Sequence, residues 1–306
     1  MFLVSKTFIT DLILIGFVLV CIVHEHEAAL FERQSQNKNS TRTSDEKLEP
    51  GPLLFRPSAR TSHFSGCERF FVENVEPSLT GTASNKRSIC HISQKGQLLF
   101  GFAAQHDVIR KIPDWSAFRI TQIDTNARRS TYFKQDESLK PKDSQASNAD
   151  YTGSVFNKGH LIAFSFQPPA KEASVTNLYT NAAPQYPSFN QHIWYPKGEQ
   201  RLKKYAKDEC LAKDGAMYVV VGTQGEIGRI GNRQVTIPKY FWTAACCIMK
   251  DKVASFAYYG ENKEKDSSVQ DVSVSQLQTF LKGINYEINI FPANSKCANS
   301  NNIVEI

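Results

Sequence analysis

The sequence predicts an α+β domain, because runs typical of β-strands recur along the chain while helical periodicity is legible only twice. β-Branched and aromatic residues dominate these runs, and no segment of the 306 residues repeats another. Many short strands separated by few helices are typical of α+β architectures. The expected strands cover residues 98–104, 115–122, 159–166, 217–222, 240–249 and 253–259.

Residues 1–29 are typical of a secretory signal peptide. The apolar run over residues 12–23 is uninterrupted, and as a helix it would rise about 18 Å, well short of the roughly 30 Å hydrocarbon core of a bilayer. Cleavage near Ala29 would release a secreted, extracellular protein with no stable membrane partner. An uncleaved membrane anchor stays the alternative, since Asp11 directly precedes the run and the cleavage region is indistinct.

Two further regions follow the predicted signal peptide. Residues 30–62 are dominated by Ser, Asn, Gln, Arg, Lys and Glu, a composition that predicts a disordered or loosely attached segment. Asn39 begins the chain's one N-x-S/T sequon there, which is either glycosylated or an unmodified part of the tail. The folded domain is expected over residues 63–300.

Removal of the signal peptide takes Cys21 away and leaves an even set of cysteines. An even set behind an export signal predicts three disulfides, because an oxidising compartment lets such bridges persist. The spacing leaves the pairing open. Cys246 and Cys247 are expected to have different partners, since adjacent residues of a strand point to opposite faces of a sheet. The set is Cys67, Cys90, Cys210, Cys246, Cys247 and Cys297.

The chain beyond residue 29 is basic, with 35 Lys and Arg residues against 27 Asp and Glu residues, a net charge of +8. A positive excess of this size suits a polyanionic partner and does not require one. Charge alone therefore leaves a solvated basic surface as the simpler interpretation, and the sequence leaves the oligomeric state open.

Two helices are predicted. One begins near Ser188 and carries Asn190, and a break or a second helix is expected at Pro196 because proline removes a helical hydrogen bond. In the other, the Ser and Gln of residues 275–278 form a capping-box pattern, and Gly283 supplies the stop. The second helix is expected to be structural.

Residues 150–194 bring together His160, directly after a glycine, and the amides Asn181 and Asn190 in proline-punctuated segments. A neutral imidazole can take a proton from water near neutral pH, and an amide oxygen is a hard ligand suited to Mg²⁺. Phosphodiester hydrolysis needs such a base, a cation for the charge that gathers on phosphate, and basic side chains to hold the backbone. From spacing alone, a packed histidine and a helix-capping asparagine remain the commoner interpretations.

Several motifs, in the right order, resemble those of the non-specific DNA/RNA endonucleases. F-N-K-G-H-L, residues 156–161, resembles the D-R-G-H motif of that family. The segments Y-T-N-A-A-P-Q and F-N-Q-H-I-W resemble its S-N-x-x-P-Q and N-Q-x-x-W motifs. K-I-P-D-W-S-A-F and I-P-K-Y-F-W-T-A-A-C-C are similar to strands on either side, so the resemblance runs from about Cys67 to Cys297. It implies the ββα-metal fold, with central antiparallel sheets and a strand-loop-helix finger at the active site, and the cysteines are similar to those of a secreted branch.

The resemblance also implies roles for individual residues. His160 matches the general base that deprotonates water, and Asn190 matches the sole direct protein ligand of a hydrated Mg²⁺, or Mn²⁺, ion. Asn181 matches a supporting polar residue near the centre. Lys158 stands where the family has arginine. Because Lys158 and His160 are two residues apart, their side chains would share a face of an extended strand. Lysine keeps the charge of arginine but loses its bidentate fork, so a weaker contact with phosphate is expected.

Two departures from the family pattern leave choices open. The family has a glutamate eight residues after its metal-binding asparagine, where this chain has Gly198, and a one-residue shift would bring Glu199 into that role; the alternative is an ordinary exposed carboxylate. Arg128 or Arg129 lies about where the family has a phosphate-holding arginine, and a solvated loop pair is the alternative.

The resemblance implies a Mg²⁺-dependent endonuclease that hydrolyses DNA, RNA or both with little sequence specificity and leaves 5′-phosphate ends. Nucleic acid would be bound through its phosphate backbone, which carries no base identity. The alternative is a catalytically degenerate secreted protein that keeps the fold as a binding or interaction module. A third interpretation, a Cys/His hydrolase, requires a free exposed thiol.

Overall fold

The structure is a computed structural model of the 306-residue chain. The predicted signal peptide, the polar segment over residues 30–62, and both Arg128 and Arg129 lie outside the described residues. The domain boundaries therefore stay a prediction. The structure describes residues 63–80, 84–95, 98–123, 132–166 and 172–299.

Strands dominate the described residues, as the sequence predicts. They are β1 (Ser78–Leu79), β2 (Lys86–Lys95), β3 (Leu98–Asp107), β4 (Ile112–Ile120), β5 (Asn157–His160), β6 (Ala182–Gln185), β7 (Ala216–Gln224), β8 (Gly228–Ile230), β9 (Val235–Ile237), β10 (Tyr240–Ile248), β11 (Val253–Glu261), β12 (Val269–Val272) and β13 (Ile288–Asn289).

The helices are fewer and mostly short. The α-helices are α1 (Asn148–Tyr151), α2 (Gln200–Tyr205), α3 (Val274–Gly283) and α4 (Ser295–Ala298). The 3-10 turns are Glu68–Phe70, Val72–Asn74, Lys142–Ser144, Phe164–Phe166, Glu172–Asn177, Tyr179–Asn181 and Leu211–Lys213. α2 is continuous with wider turns on both sides, Phe189–Glu199 and Ala206–Cys210, and the three segments are called the long helix below. Among the described residues, no helix combines the length and the apolar character that crossing a bilayer requires.

Seven strands form an antiparallel sheet in the order β12-β11-β10-β7-β4-β3-β2. Apolar side chains alternate between its faces because successive residues of a strand point to opposite sides. One buried cluster covers the face on which the long helix packs through Trp194 and Leu202, and it is called the site face. A second cluster, with Val72 and α3, covers the opposite face. This confirms the α+β prediction, with a central antiparallel sheet buried on both sides.

Five of the six predicted strands are present with shifted ends, and the sixth is much shorter than expected. The predicted strand over residues 159–166 ends at His160, and Phe164–Phe166 forms a 3-10 turn instead. The reason lies in Asn181, whose side chain binds the backbone of Ile162 and draws the chain out of the strand. β2 (Lys86–Lys95) was not predicted, because its polar composition hides the alternation.

The capping of α3 differs from the prediction by one register. Ser273, and not Ser275, is the N-cap, and its side chain accepts a hydrogen bond from the backbone N–H of Gln276 while the Gln276 side chain returns one. The predicted partner Gln278 instead accepts a hydrogen bond from the backbone of Ile290. A Ser-x-x-Gln pattern occurs at both registers, and burial of Val274 selects the earlier one.

The break predicted at Pro196 is wrong, because the long helix runs through it. The surrounding turns are wide, as shown by the Gln200 N–H, which bonds to the carbonyl of Tyr195 five residues back. In a wider turn, the carbonyl of His192, four residues before Pro196, lies farther from the proline ring, so the clash that breaks an ordinary helix is relieved, although Pro196 still donates no hydrogen bond. The wide turns therefore accommodate Pro196 inside the helix.

All six cysteines of the described domain are paired, as predicted. The bridges are Cys67–Cys90, Cys210–Cys247 and Cys246–Cys297. The adjacent cysteines of β10 have different partners, one for each face of the sheet, which confirms the expectation from strand geometry. Cys247 ties the long helix to the site face, and Cys246 ties α4 to the opposite face.

Candidate active site

The candidate site is built on two short paired strands and the start of the long helix. β5 pairs antiparallel with β6, so that His160 lies opposite Ala182 and Asn157 lies opposite Gln185. His160 is the last residue of β5, and Asn190 is the second residue of the long helix. The chain from β6 to the helix is only three residues long, which keeps the helix start beside the strand pair.

A close approach at Gly159 joins the histidine strand to Asn190. A Cβ atom at Gly159 would lie 2.0 Å from Oε1 of Gln185, so the Gln185 side chain crosses directly over the glycine backbone. That same Oε1 accepts a hydrogen bond from Nδ2 of Asn190. The Asn190 amide is therefore held beside the residue that immediately precedes His160. With its nitrogen committed to Gln185, the amide presents its oxygen as the atom suited to a hard cation.

The hydrogen bond of the His160 ring selects which nitrogen can act as a base. Nε2 of His160 lies 2.8 Å from Oδ1 of Asn177, an atom that can only accept, so Nε2 carries the proton and donates. In the neutral ring, Nδ1 then holds the lone pair. The ring also packs against Phe133, with the centroids 4.8 Å apart. Two contacts thus fix both the tautomer and the plane of the imidazole.

Asn181 is buried behind the site and uses its whole amide on the backbone. Its Oδ1 accepts from the N–H of Ile162 at 3.1 Å, and its Nδ2 donates to the carbonyls of Ile162 at 3.0 Å and Thr176 at 2.9 Å. These bonds fix the chain just after His160 to the turn that ends in Asn177. Asn181 therefore holds the segments that carry the histidine and its hydrogen-bond partner.

The ammonium of Lys158 lies in a box of aromatic rings on the same side of β5 as His160. Its Nζ is 5.7 Å from the ring centroid of Phe133, 5.8 Å from that of Tyr151 and 5.9 Å from that of Tyr179. Asn148 Oδ1 accepts a hydrogen bond from it at 2.7 Å. Because Phe133 touches both Lys158 and His160, the shared face predicted from their spacing is observed. Burial lowers the pKa of Lys158 from its ordinary value.

A buried carboxylate, Asp136, connects the segments that lie around His160 and Lys158. It accepts hydrogen bonds from Thr180 Oγ1 at 2.8 Å, from His91 Nε2 at 2.6 Å and from Ser138 Oγ at 2.6 Å. Burial alone would raise the pKa of Asp136, but the hydrogen bond and charge of His91 and the bonds from Ser138 hold it well below its usual range. The charged carboxylate thus ties the segment that carries Phe133 to the turn at Tyr179–Asn181.

The buried side of the long helix sets the direction of Glu199. Phe189, Trp194 and Gly198 are buried against the sheet, five and then four residues apart. The residues that follow each of them, Asn190, Tyr195 and Glu199, therefore lie on one neighbouring side of the helix. The extra residue in the first interval is the widened turn. Gly198 itself faces the core, where an added Cβ would lie 3.0 Å from the ring of Tyr258.

This arrangement of strand, strand and helix has counterparts among known proteins. The profile of the DNA/RNA non-specific endonuclease family matches residues 82–292. The chain belongs to that family. The match includes every described part of the candidate site, from Phe133 to Glu199.

Individual family members agree with this assignment. The chain is similar to endonuclease domain-containing 1 protein of Homo sapiens, with 27% identity over 238 residues, covering 71% of this chain and 46% of that protein. A 129-residue segment is 37% identical to mitochondrial endonuclease G of Homo sapiens, covering 38% of this chain and 41% of that protein. The chain thus spans about half the length of the curated relatives it matches.

A solved structure of the family shares the fold. The EndoG chain of the EndoG/EndoGI complex superposes with a TM-score of 0.56 at 18% identity, covering 78% of this chain and 96% of that chain. The fold is therefore the ββα-metal fold of the endonuclease family, and β5, β6 and the long helix form its strand-strand-helix unit.

The donor set fits the single-ligand metal site that the endonuclease resemblance implies. Among the described residues, no group of three His, Cys, Asp or Glu side chains is placed to hold an ion. One amide oxygen, held in place through its own nitrogen, suits an ion such as Mg²⁺ that keeps most of its water ligands. Asn190 could supply that oxygen, and Glu199 lies on the same side of the helix.

The structure places most of the side chains that the endonuclease motifs single out in one strand-strand-helix unit. Lys158 and His160 share one face of β5, Asn190 is bonded to Gln185 beside Gly159, and Asn181 holds the backbone after His160. Glu199 shares the helix side of Asn190. The motifs gave no role to Asn177 or Gln185. Gln185 was visible as the last letter of the P-Q motif, whereas Asn177 carries no signal in the sequence, because only the fold brings it to His160.

Proposed function

We propose that the chain is a secreted, Mg²⁺-dependent endonuclease that hydrolyses phosphodiester bonds of DNA, RNA or both with little sequence specificity. Mn²⁺ is the alternative ion. The observation that carries the proposal is the bridge through Gln185, which joins the Asn190 amide to the strand that ends in His160. Hydrolysis of a phosphodiester requires a base and a metal-binding oxygen that act on one phosphate, and the bridge keeps the helix start that carries Asn190 next to the strand that carries His160.

His160 acts as the general base in this proposal. With Nε2 bonded to Asn177, Nδ1 accepts a proton from water as the water oxygen attacks phosphorus. The bond from phosphorus to the 3′ oxygen breaks, and that oxygen takes up a proton from solvent, which leaves a 5′-phosphate on one product and a 3′-hydroxyl on the other. The Phe133 ring against the imidazole excludes water from one side of the base and fixes its direction.

Asn190 would hold the divalent ion through its amide oxygen, and Glu199, on the same side of the helix, would accept hydrogen bonds from water bound to it. When bound, the ion supplies positive charge to the phosphate and to the leaving oxygen. Glu199 is nine residues after Asn190, one more than in the family pattern, and the widened turn between Phe189 and Trp194 supports the shifted assignment.

Lys158 supplies a fixed positive charge for the phosphate beside His160. Its ammonium is held by three rings and by Asn148, so it is oriented before substrate arrives. Contacts to phosphate carry no base identity, which accounts for low sequence specificity. Arg128 and Arg129 stay candidates for a second phosphate contact.

The three disulfides support secretion, since such bridges persist in an oxidising compartment. They also leave no thiol among the described residues for a Cys/His hydrolase. The signal peptide over residues 1–29 remains part of the proposal.

The test is nicking of supercoiled plasmid by the purified protein with Mg²⁺. Loss of the general base in His160→Ala should lower the rate by roughly 10²- to 10⁴-fold. His192→Ala is the matched control, because His192 is exposed on the long helix and should leave the rate unchanged. Chelation of the metal should abolish nicking, and re-addition should restore it.

Two outcomes would contradict the endonuclease proposal. Equal nicking by wild type and His160→Ala would remove His160 from the chemistry. No nicking by folded wild-type protein with Mg²⁺ or Mn²⁺ would favour the degenerate binding module instead.

A further inference from the structure

We infer that Tyr132 is a base-stacking platform that makes single-stranded nucleic acid the preferred substrate of the site. The inference rests on the proposed endonuclease function and adds a substrate class to it. Tyr132 is 70% exposed, the largest exposed fraction among the large hydrophobic side chains described. Single exposed apolar side chains are common on protein surfaces, so the argument depends on where this ring lies and on what surrounds it.

Tyr132 is placed beside the catalytic imidazole by its chain neighbours. Phe133, the next residue, packs against the His160 ring at 4.8 Å. Lys134 follows, and its backbone is fixed on both sides, with its N–H donating to Asn177 at 2.9 Å and its carbonyl accepting from Tyr179 at 3.0 Å. Because Asn177 also bonds His160, the Tyr132 segment and the general base share one anchor. The exposed ring is therefore held at the edge of the site.

Positive charge accompanies the ring. Nζ of Lys134 lies 5.8 Å from the centroid of Tyr132, and Nζ of Lys158 lies 5.7 Å from that of Phe133. An exposed ring with ammonium groups nearby is the combination with which proteins bind single strands, in which bases stack on the ring while cations follow the phosphates. Lys134 thus places one cation at the exposed ring, and Lys158 places a second at the neighbouring Phe133.

The state of the bases gives the ring its selectivity. In a duplex, both faces of each internal base are covered by its neighbours, and freeing one requires the loss of its stacking and pairing. A single strand offers base faces at little cost. A base next to the phosphate at His160 would therefore reach Tyr132 readily from a single strand and only with difficulty from a duplex.

The experiment measures binding in a background that does not cleave. Fluorescence anisotropy would follow a labelled single-stranded oligonucleotide and its own duplex binding to full-length His160→Ala protein, at fixed salt with Mg²⁺. Adding Tyr132→Ala should weaken single-strand binding roughly ten-fold and duplex binding less than about two-fold. Tyr132→Phe keeps the ring and should bind as the parent does.

Val75→Ala is the control for loss of an exposed apolar side chain, since Val75 follows a turn that packs on the opposite face of the sheet. It should change neither affinity. Thermal unfolding of each variant would show whether the fold is kept, and Tyr132→Leu, which keeps bulk without a π-face, repeats the test if Tyr132→Ala is unstable.

Equal weakening of single-strand and duplex binding by Tyr132→Ala, or no weakening of either, would overturn the inference. The proposed endonuclease function fails on a different result, absence of nicking by wild type. Selective loss of single-strand binding without any nicking would retain the stacking role and remove the catalytic one, so the two failures are distinguishable.

Discussion

At the level of single residues, the absence of a side chain at position 159 lets the strand of His160 lie close to Gln185 and the start of the long helix. Gly159 has no side chain, and that space is filled by Gln185, which reaches across to Asn190. Any Cβ at this position would displace Gln185 and release Asn190. The glycine of the G-H motif is thus required by a close approach of side chain to backbone.

We expect Gly159→Ala to lower nicking activity at least 100-fold, because a misplaced metal ligand and base lose their mutual geometry. Measurement of nicking and of urea unfolding would separate the effects. The added methyl should also destabilise the fold by about 1–3 kcal/mol through overpacking.

The double variant Gly159→Ala/Gln185→Ala supplies the matched comparison. Removing Gln185 makes room for the methyl, so stability should return while activity stays low, since Asn190 has lost its partner. Recovery of activity in the double variant would show that Gln185 does not position Asn190.

The residue-level predictions from sequence rest on the motifs. His160, Lys158 and Asn190 follow from letters at fixed spacing, and the structure places the first two on β5 and the third on the helix start that is bonded to β6 through Gln185. Their roles stay predictions. Asn177 and Phe133 were missed because each contacts His160 from a segment whose position depends on the whole fold. No local pattern encodes such a contact.

At the level of elements, the long helix shows how spacing determines helical geometry. Trp194, Gly198, Leu202, Ala206 and Cys210 are buried at intervals of four. An ordinary helix turns 100° per residue, so each four-residue step would drift about 40° from the core. Wider turns absorb this drift and keep the stripe against the sheet. The four-residue pattern is present in the sequence, but the missing N–H of Pro196 predicts a break that the structure does not have.

We expect Glu199→Ala to raise the Mg²⁺ concentration needed for half-maximal nicking, by roughly ten-fold, because contacts to metal-bound water tune metal affinity. The informative comparison is Gly198→Glu/Glu199→Ala, which moves the carboxylate to the family position. It should not restore activity, since residue 198 faces the ring of Tyr258.

The double variant should also be less stable in thermal unfolding, because a carboxylate would be buried against Tyr258. Rescue of nicking by the carboxylate at 198 would mean that the helix has the ordinary phase and that the widened turn has no part in placing Glu199.

At the level of the whole molecule, burial of His106, on β3 of the central sheet, links stability to pH. The ring is fully buried, and Nε2 donates to the carbonyl of Ser144 at 3.0 Å. Burial lowers the pKa of His106 from 6.5 to about 4, with weaker opposing contributions from the Ser144 hydrogen bond and from Asp107 and Asp136. The folded protein therefore keeps this imidazole neutral at mildly acidic pH.

The direction of this pH dependence follows from the number of protons that the folded and unfolded states bind. Between the folded pKa of about 4 and the unfolded value of 6.5 the unfolded chain binds a proton that the folded protein does not. The free energy of unfolding should fall as pH drops through this window, by up to about 3 kcal/mol from His106 alone. Urea unfolding at pH 7 and at pH 4.5 would measure the change.

His106→Gln should reduce that pH-dependent loss, because glutamine can keep a donor for Ser144 but does not titrate. His192→Gln, at an exposed position, should leave the loss as in wild type. An unchanged pH dependence in His106→Gln would assign the acid sensitivity to the carboxylates.

The class of the fold could be predicted because strand patterning and the motifs agree with each other. The order of the seven strands could not be predicted, because it depends on contacts between residues far apart in sequence. The pairing of β2 could not be predicted either, because its polar sequence shows no alternation of apolar and polar residues.

The neighbouring bridges at Cys246 and Cys247 leave one strand in opposite directions, so a single peptide bond links the covers of both faces. If the long helix or α4 detaches from its face while its disulfide is intact, β10 in the middle of the sheet must be displaced with it. An unfolding intermediate in which only one of these two helices has left the sheet is therefore disfavoured. The oxidised protein should therefore unfold in a single cooperative transition. The two faces of the sheet should lose their helices in separate steps only after the disulfides are reduced.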